Sequence, residues 1–307
     1  MGETGLTQLE EIAGIGFLVV FVVLLLELPW IRWRRGEADW REVRMTLLGI
    51  ASQGFGAALV LRLAGPLTVA IAALAGAPLR FVDGGTTWPW WLYGFVVYEF
   101  WYWVQHWAAH KVRLLWCIHA PHHAPRGISM AIGANHSAFE SALWFPLFFG
   151  FIPALCGVDP LICVAVNLVD AMWGSFLHLS EEAMPGGRYG PLERVLQTPS
   201  YHRAHHARNP LYIDTNYNSI TLLWDSLLGT KQRLEDEVAV EYGITRDVDT
   251  GSFWDVHFGE FVALFRDMRA APSLGAALGY ALRPPGWQPG DASGTASAIR
   301  ARGSAQG

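Results

Sequence analysis

The chain has 307 residues, 52% of them hydrophobic and 16% charged, with a formal net charge of −5 and a mean hydropathy of +0.23. Soluble domains carry about 25% charged residues, so this composition excludes a disordered, collagen-like or disulfide-stapled chain and points to a membrane protein. No run of Lys or Arg offers a footprint for nucleic acid, and Cys117, Cys156 and Cys163, lacking any CxxC pairing, read as buried reduced thiols.

Residues 12–28 form an apolar run about long enough to cross a bilayer. The segment before it is acidic (Glu3, Glu10, Glu11), whereas a signal peptide starts basic, so the run reads as a retained span. The following stretch holds Arg32, Arg34, Arg35, Arg41 and Arg44 and reads as a cytoplasmic loop, with Trp30, Trp33 and Trp40 suited to the interface. Residues 45–63 return outward, 67–79 read as a re-entrant or interfacial piece, and 88–105 cross inward behind an aromatic belt. Segments 142–158 and 161–178 form a hairpin turning at Asp159-Pro160. The expectation is an all-α integral membrane protein with four to five transmembrane helices, its N-terminus outside, and a cytosolic histidine-rich helical cap. Residues 254–269 place Trp254, Phe258, Phe261, Val262 and Phe265 on one helical stripe, suited to lie on the membrane or cap the core. His257 reads as an ordinary polar-face histidine of that helix, and residues 291–307, small and polar, read as disordered.

Ten of the 11 histidines fall between His106 and His206. His106 and His110 are spaced i, i+4; His119, His122 and His123, and again His202, His205 and His206, are spaced i, i+3, i+4. Such positions share one side of a helix, so each box aims two or three imidazoles at one place. Pro121 loosens the expected register of the second box, and His136 and His178 stand alone. Imidazole suits iron, zinc, copper or nickel rather than magnesium or calcium. Eight to ten such nitrogens are too many for one ion and fit a pair. No HExxH of a zinc protease occurs, and paired axial haem ligation would not need the two His-His doublets. A metal transporter would be expected to mix in carboxylates at the membrane midplane.

The segments EFWYWVQHWAAHKVRLLW, CIHAPHHAP and TPSYHRAHHARNPLYIDTNYNSITLLWDSLLGT resemble the fatty acid hydroxylase and sterol desaturase superfamily over roughly residues 90–235. TPSYHRAHH…DTNY and the later EYGIT are most similar to its alkylglycerol monooxygenase branch. The resemblance implies a di-iron centre held by His106, His110, His119, His122, His123, His202, His205 and His206, with His178 and His136 joining. At His136 the chain departs from its relatives, reading Gly-Ala-Asn-His-Ser where they often read Arg-x-His-Pro. Glu99 occupies a position usually held by an aspartate, open to orienting a histidine or to helix packing. Asp170 is expected to line a cavity or to pair with Asn167. Asp214, Asn216, Tyr217 and Asp225 are expected to support the ligands or to cap their polar loop.

The implied domain order is membrane spans over 1–87, a histidine-box catalytic domain over 88–235, amphipathic or peripheral helices over 236–290, and the tail. The implied activity is hydroxylation or desaturation of an unactivated C–H bond in a fatty acyl, alkylglycerol, sterol or isoprenoid lipid. Dioxygen is the co-substrate. Electrons come from a separate ferredoxin, small haem cytochrome or reduced pterin. The site is expected at the cytoplasmic face of an inner or plasma membrane. The alternative is a non-catalytic membrane protein with a structural zinc site, because the same imidazoles accept both metals.

Overall fold

The computed structural model describes residues 3–36, 40, 43–45, 47–55, 58, 62, 84–137, 139–140 and 147–304. Among them there is no strand, only isolated bridges such as Leu196 with Thr221. The expected re-entrant piece at 67–79 and part of the expected span at 45–63 lie outside the described residues.

Helix α1 (Glu3–Arg35) does not stop where the first apolar run ends. The basic stretch read as a loop is helical as far as Arg35, through Pro29. Arg32, Arg34 and Arg35 in the last turn oppose the negative end of the helix dipole. The end is also tied down: Trp30 Nε1 donates to the Glu182 carbonyl (2.6 Å) and Arg35 Nε to the Glu182 carboxylate (2.6 Å). Further back, the buried Glu27 carboxylate accepts the backbone N–H of Met130 (2.8 Å) and of Ser180 (2.7 Å). An acid facing the protein within the apolar stretch of this helix thus fixes two segments that flank the histidines.

Helix α2 (Trp88–Lys111) carries the first box at its end, and α3 (Arg113–His123) carries the second. A one-turn helix α4 (Met130–Gly133) follows. The described part of the first arm of the expected hairpin is broken into a short π-helix at Leu147–Phe151 and a short α5 (Ile152–Leu155) before α6 (Pro160–Leu177), which Asp159 caps by accepting from Leu161 N (2.9 Å). Only Gly14–Arg35 and Pro160–Leu177 are long and apolar enough to cross a membrane, among the described residues. α2 and α6 meet at Tyr98, Val158, Ile162, Cys163 and Val166. A Cβ at Gly94 would lie 2.6 Å from the Ile162 side chain, so glycine sets how closely the two helices approach.

The third box lies on α7 (Pro199–His205), followed by α8 (Leu223–Leu228). α9 (Phe253–Arg269) packs along α3 and is followed by α10 (Leu274–Leu282). α9 buries Val256, His257, Glu260 and Leu264. Trp254, Val262 and Phe265 stay 71%, 66% and 62% exposed, as the apolar stripe requires of a face turned outward. His257 is not on the polar face: it is buried, stacks on Phe253 (4.4 Å between centroids) and approaches Gly49, and burial lowers its pKa to about 4.

Most of the tail's described residues are helical where disorder was expected. α11 (Ala296–Ser304) begins after the buried Thr295, and Arg300 Nη1 donates to the carbonyls of Leu211 (2.8 Å) and Ile213 (3.3 Å). One guanidinium satisfying two loop carbonyls holds this small-residue helix where composition alone gave no reason for order. Cys117 and Cys163 are buried and Cys156 half-buried, all free.

Candidate metal centre

Nine imidazoles converge in two groups. His106, His110, His119, His123 and His205 form one; His122, His178, His202 and His206 form the other, and all nine are buried. The second and third boxes are divided between the groups in opposite senses. His119 and His123 go to the first and His122 to the second, while His202 and His206 go to the second and His205 to the first. At 3.6 residues per turn, residues four apart nearly overlie one another and the residue between them is turned aside, so two short helices supply both groups. α3 stays helical through Pro121, which keeps the second box in register. His178 enters at the end of α6.

The ring nitrogens meet closely. Nε2 of His106 lies 3.1 Å from that of His119, which lies 3.2 Å from that of His123. In the second group Nε2 of His178 lies 3.2 Å from His122, 3.2 Å from His206 and 2.8 Å from His202. Ligands bonded to one ion at about 2.0–2.1 Å stand about 2.8–3.4 Å apart for angles from about 90° to tetrahedral, so the spacing fits a cation in each group. Nε2 of His110 and of His205 are buried without any hydrogen-bond partner, as atoms awaiting a ligand would be.

The outer nitrogens explain why Nε2 points inward. His106 Nδ1 donates to the Tyr217 carbonyl (2.8 Å), His205 Nδ1 to the Thr215 carbonyl (2.7 Å) and His110 Nδ1 to Asp214 Oδ1 (3.2 Å). Three imidazoles from two boxes are thus held by residues 214–217. Because those oxygens can only accept, each ring carries its proton on Nδ1 and leaves the Nε2 lone pair free. Asp214 and Asn216 sit at φ 61° and 57°, a left-handed conformation that Asp and Asn tolerate, and the alternation helps turn the intervening carbonyls to the rings. His178 Nδ1 donates to the Gly174 carbonyl (2.6 Å).

The expected supporting residues separate into direct and indirect. Asp214 touches a ligand and also accepts from Lys111 Nζ (2.5 Å). Asn216 fixes its loop by donating to the carbonyls of Tyr201 (2.9 Å) and Gln232 (2.7 Å). Asp225 accepts the N–H of Tyr217 (2.8 Å) and of Asn218 (2.9 Å), one step behind His106. Glu99 orients no histidine; it accepts from Asn218 Nδ2 (2.9 Å), Thr221 N (2.8 Å) and Thr221 Oγ1 (2.7 Å), and so secures the far side of the same loop. Asp170 accepts from the Ser219 hydroxyl and from Tyr98 (2.8 Å), and its link to Asn167 runs through that tyrosine.

His136 lies outside both groups. Its Nδ1 is 2.8 Å from Glu140 Oε2, while Oε1 of the same carboxylate is 2.8 Å from His119 Nδ1. Glu140 escaped the sequence reading, although the i, i+4 spacing HSAFE was available to find it.

Burial, reinforced by neighbouring imidazoles, holds His106, His110, His122, His123, His202 and His206 well below the ordinary histidine value. Burial likewise lowers His178 and His205 to about 3. These eight rings are therefore neutral at pH 7 and able to bind metal. Burial alone would raise Glu140, but His136 and His119 outweigh it and bring the carboxyl down to about 2. Beside the first group, Trp116, Asp214, Ile244, Pro284, Pro285 and Ala296 wall an opening of about 540 Å³ that reaches His110, His123, His205 and His206.

Residues 91–230 match the fatty acid hydroxylase family. The chain is 30% identical to the alkylglycerol monooxygenase of Xenopus tropicalis over 207 residues, covering 66% of this chain and 43% of that protein. It is 32% identical to that of Danio rerio over 209 residues, covering 67% and 44%. With the ornithine lipid hydroxylase OlsE of Rhizobium tropici it shares 32% identity over 159 residues, covering 52% and 46%. The chain thus spans less than half the length of these curated relatives. No solved structure matches it.

Proposed function

We propose, on the premise that residues 91–230 are a fatty acid hydroxylase domain, that the chain is a membrane-bound di-iron enzyme hydroxylating a C–H bond of a long-chain lipid. The observation that carries this reading is the pair of buried imidazole groups whose Nε2 atoms converge with their lone pairs inward. His106, His110, His119, His123 and His205 would hold one iron; His122, His178, His202 and His206 would hold the other. Bound iron supplies the activation of dioxygen needed to attack an unactivated C–H bond.

The chain's own residues do the rest. The Nδ1–H bonds to residues 214–217 keep the rings oriented, burial keeps water from the nitrogens, and Glu27 ties the histidine-bearing loops to α1. The apolar α1 and α6 suit an alkyl or acyl chain arriving from the bilayer. An alkylglycerol or an acylated lipid is the substrate class that the relatives' names favour. Each turnover requires two electrons from outside, and a ferredoxin, a haem cytochrome or a reduced pterin meets that need. We place the site at the cytoplasmic face, on the side of Arg32, Arg34 and Arg35, beneath four to five spans. α9 then lies along the interface with Trp254, Val262 and Phe265 toward lipid.

Metal analysis and Mössbauer spectroscopy of anaerobically purified, iron-grown protein test the reading. About two irons per chain with spectra altered by dioxygen are expected. Zinc alone after iron-replete growth, without any dioxygen response, would replace it with the structural zinc site.

A further inference from the structure

The one buried carboxylate in contact with two histidines is Glu140, among the described residues, and its two oxygens serve different groups. Oε1 accepts from Nδ1 of His119, a member of the five-histidine group. Oε2 accepts from Nδ1 of His136. The His136 ring in turn lies flat on His122, a member of the four-histidine group, with centroids 4.2 Å apart and planes 11° from parallel. The support matters because Nδ1 of His122 is buried and has no hydrogen-bond partner, unlike Nδ1 of His106, His110, His178 and His205. His122 is therefore located by the ring stacked on it rather than by a bond to its outer nitrogen.

The segment bearing Glu140 is itself fixed to the second box. Asn135 Nδ2 donates to the Pro121 carbonyl (2.9 Å), and Glu140 N donates to the Ser137 carbonyl (3.0 Å). His119, His136 and Glu140 also stand close enough to hold an ion of their own. That would take Nδ1 of His119 as a ligand while its Nε2 already faces His106 and His123. A carboxylate accepting two N–H groups uses the same atoms with nothing left over.

We propose that Glu140 is a positioning residue shared by both metal sites: it orients His119 directly and His122 through the stacked His136, so that the two sites are set together. His136 is then a spacer that passes the carboxylate's placement to His122, not a metal ligand. A glutamine at 140 can accept from only one of the two Nδ1–H groups and turns a donor toward the other.

The inference rests on the two-metal reading and is tested with it. Iron content, resistance to a chelator and Mössbauer spectra are compared for the wild type, Glu140→Gln, His136→Ala and His136→Phe in detergent. Glu140→Gln should weaken metal retention by about 10- to 100-fold and alter the signals of both irons. His136→Ala should alter one iron signal, and His136→Phe, which keeps a ring against His122 but loses the bond to Glu140, should restore it only in part; full restoration would remove Glu140 from the route to His122. Fewer than two irons in the wild type overturns both readings. Two irons in the wild type with an unchanged Glu140→Gln spectrum overturns this one alone. A His136→Phe spectrum no better than that of His136→Ala overturns the stacking route. Should Glu140→Gln fail to fold, Glu140→Asp, which keeps two accepting oxygens on a stem one carbon shorter and so withdraws them from both Nδ1–H groups, takes its place, and an unchanged spectrum there overturns the inference in the same way.

Discussion

Asp225 contacts no histidine, yet its removal should be felt at the metal. Its Oδ1 accepts from Tyr217 N (2.8 Å), Thr230 Oγ1 (2.6 Å) and Trp103 Nε1 (3.1 Å), and its Oδ2 accepts from Asn218 N (2.9 Å). Trp103 Nε1 has a second partner in Thr230 Oγ1 (3.1 Å), so Asp225→Ala strands two buried backbone N–H groups. At about 1–3 kcal/mol for each unsatisfied group, the loss is about 2–6 kcal/mol. Asp225→Asn keeps an oxygen for Tyr217 and sets its amide against Asn218 N–H, so it strands one group and costs about 1–3 kcal/mol. Because the Tyr217 carbonyl holds His106, both variants should also release metal to a chelator faster than the wild type, alanine more than asparagine. Thermal unfolding followed by circular dichroism, with metal counted after a timed chelator challenge, measures both effects. Instability with wild-type metal retention would refute the link from Asp225 through Tyr217 to His106.

His205→Ala should abolish activity and lower bound metal, whereas His257→Ala, which removes a buried ring stacked on Phe253, should lower the melting temperature and leave metal content intact; equal metal loss in both would break the partition of the histidines. His178 and His205 titrate near 3 in the folded chain against about 6.5 unfolded. Their folded values are depressed, so the unfolded state binds more protons between those limits. The stability they contribute is complete above about pH 6.5 and declines as pH falls toward 3, by about 1.4 kcal/mol per pH unit for each ring. Chelator-stripped protein should therefore unfold progressively more easily from pH 7 to pH 5, and a flat profile would contradict neutral buried rings. A nitroxide at Val262 in reconstituted protein should relax faster with dissolved oxygen than with a water-soluble nickel complex; the reverse would place the outer face of α9 in water.

The spacing of the boxes made the ligands legible, because i, i+3, i+4 has one geometric meaning on a helix. The division of the second and third boxes between two groups was not, since it depends on how α3 and α7 face one another. Nor were the Thr215 and Tyr217 carbonyls, which every residue type carries; only the Asp and Asn at 214 and 216 hinted at an unusual turn. Glu140 could have been found from its spacing to His136, but nothing local distinguishes it from an exposed glutamate. The basic stretch after the first apolar run was misread because its run of arginines signals a loop, while the contacts with Glu182 that hold it come from a distant segment. The tail misled in the same way: Arg300 has its partners nearly ninety residues upstream.

Glu27 gives the first helix more than an anchoring part. Its carboxylate joins the loop two residues after His178 to the segment ten residues before Glu140, so tilt or piston movement of α1 is transmitted to both. On the two-metal reading, bilayer thickness and lateral pressure then become variables of the site, and extraction that retains lipid around α1 is expected to preserve metal content as well as solubility.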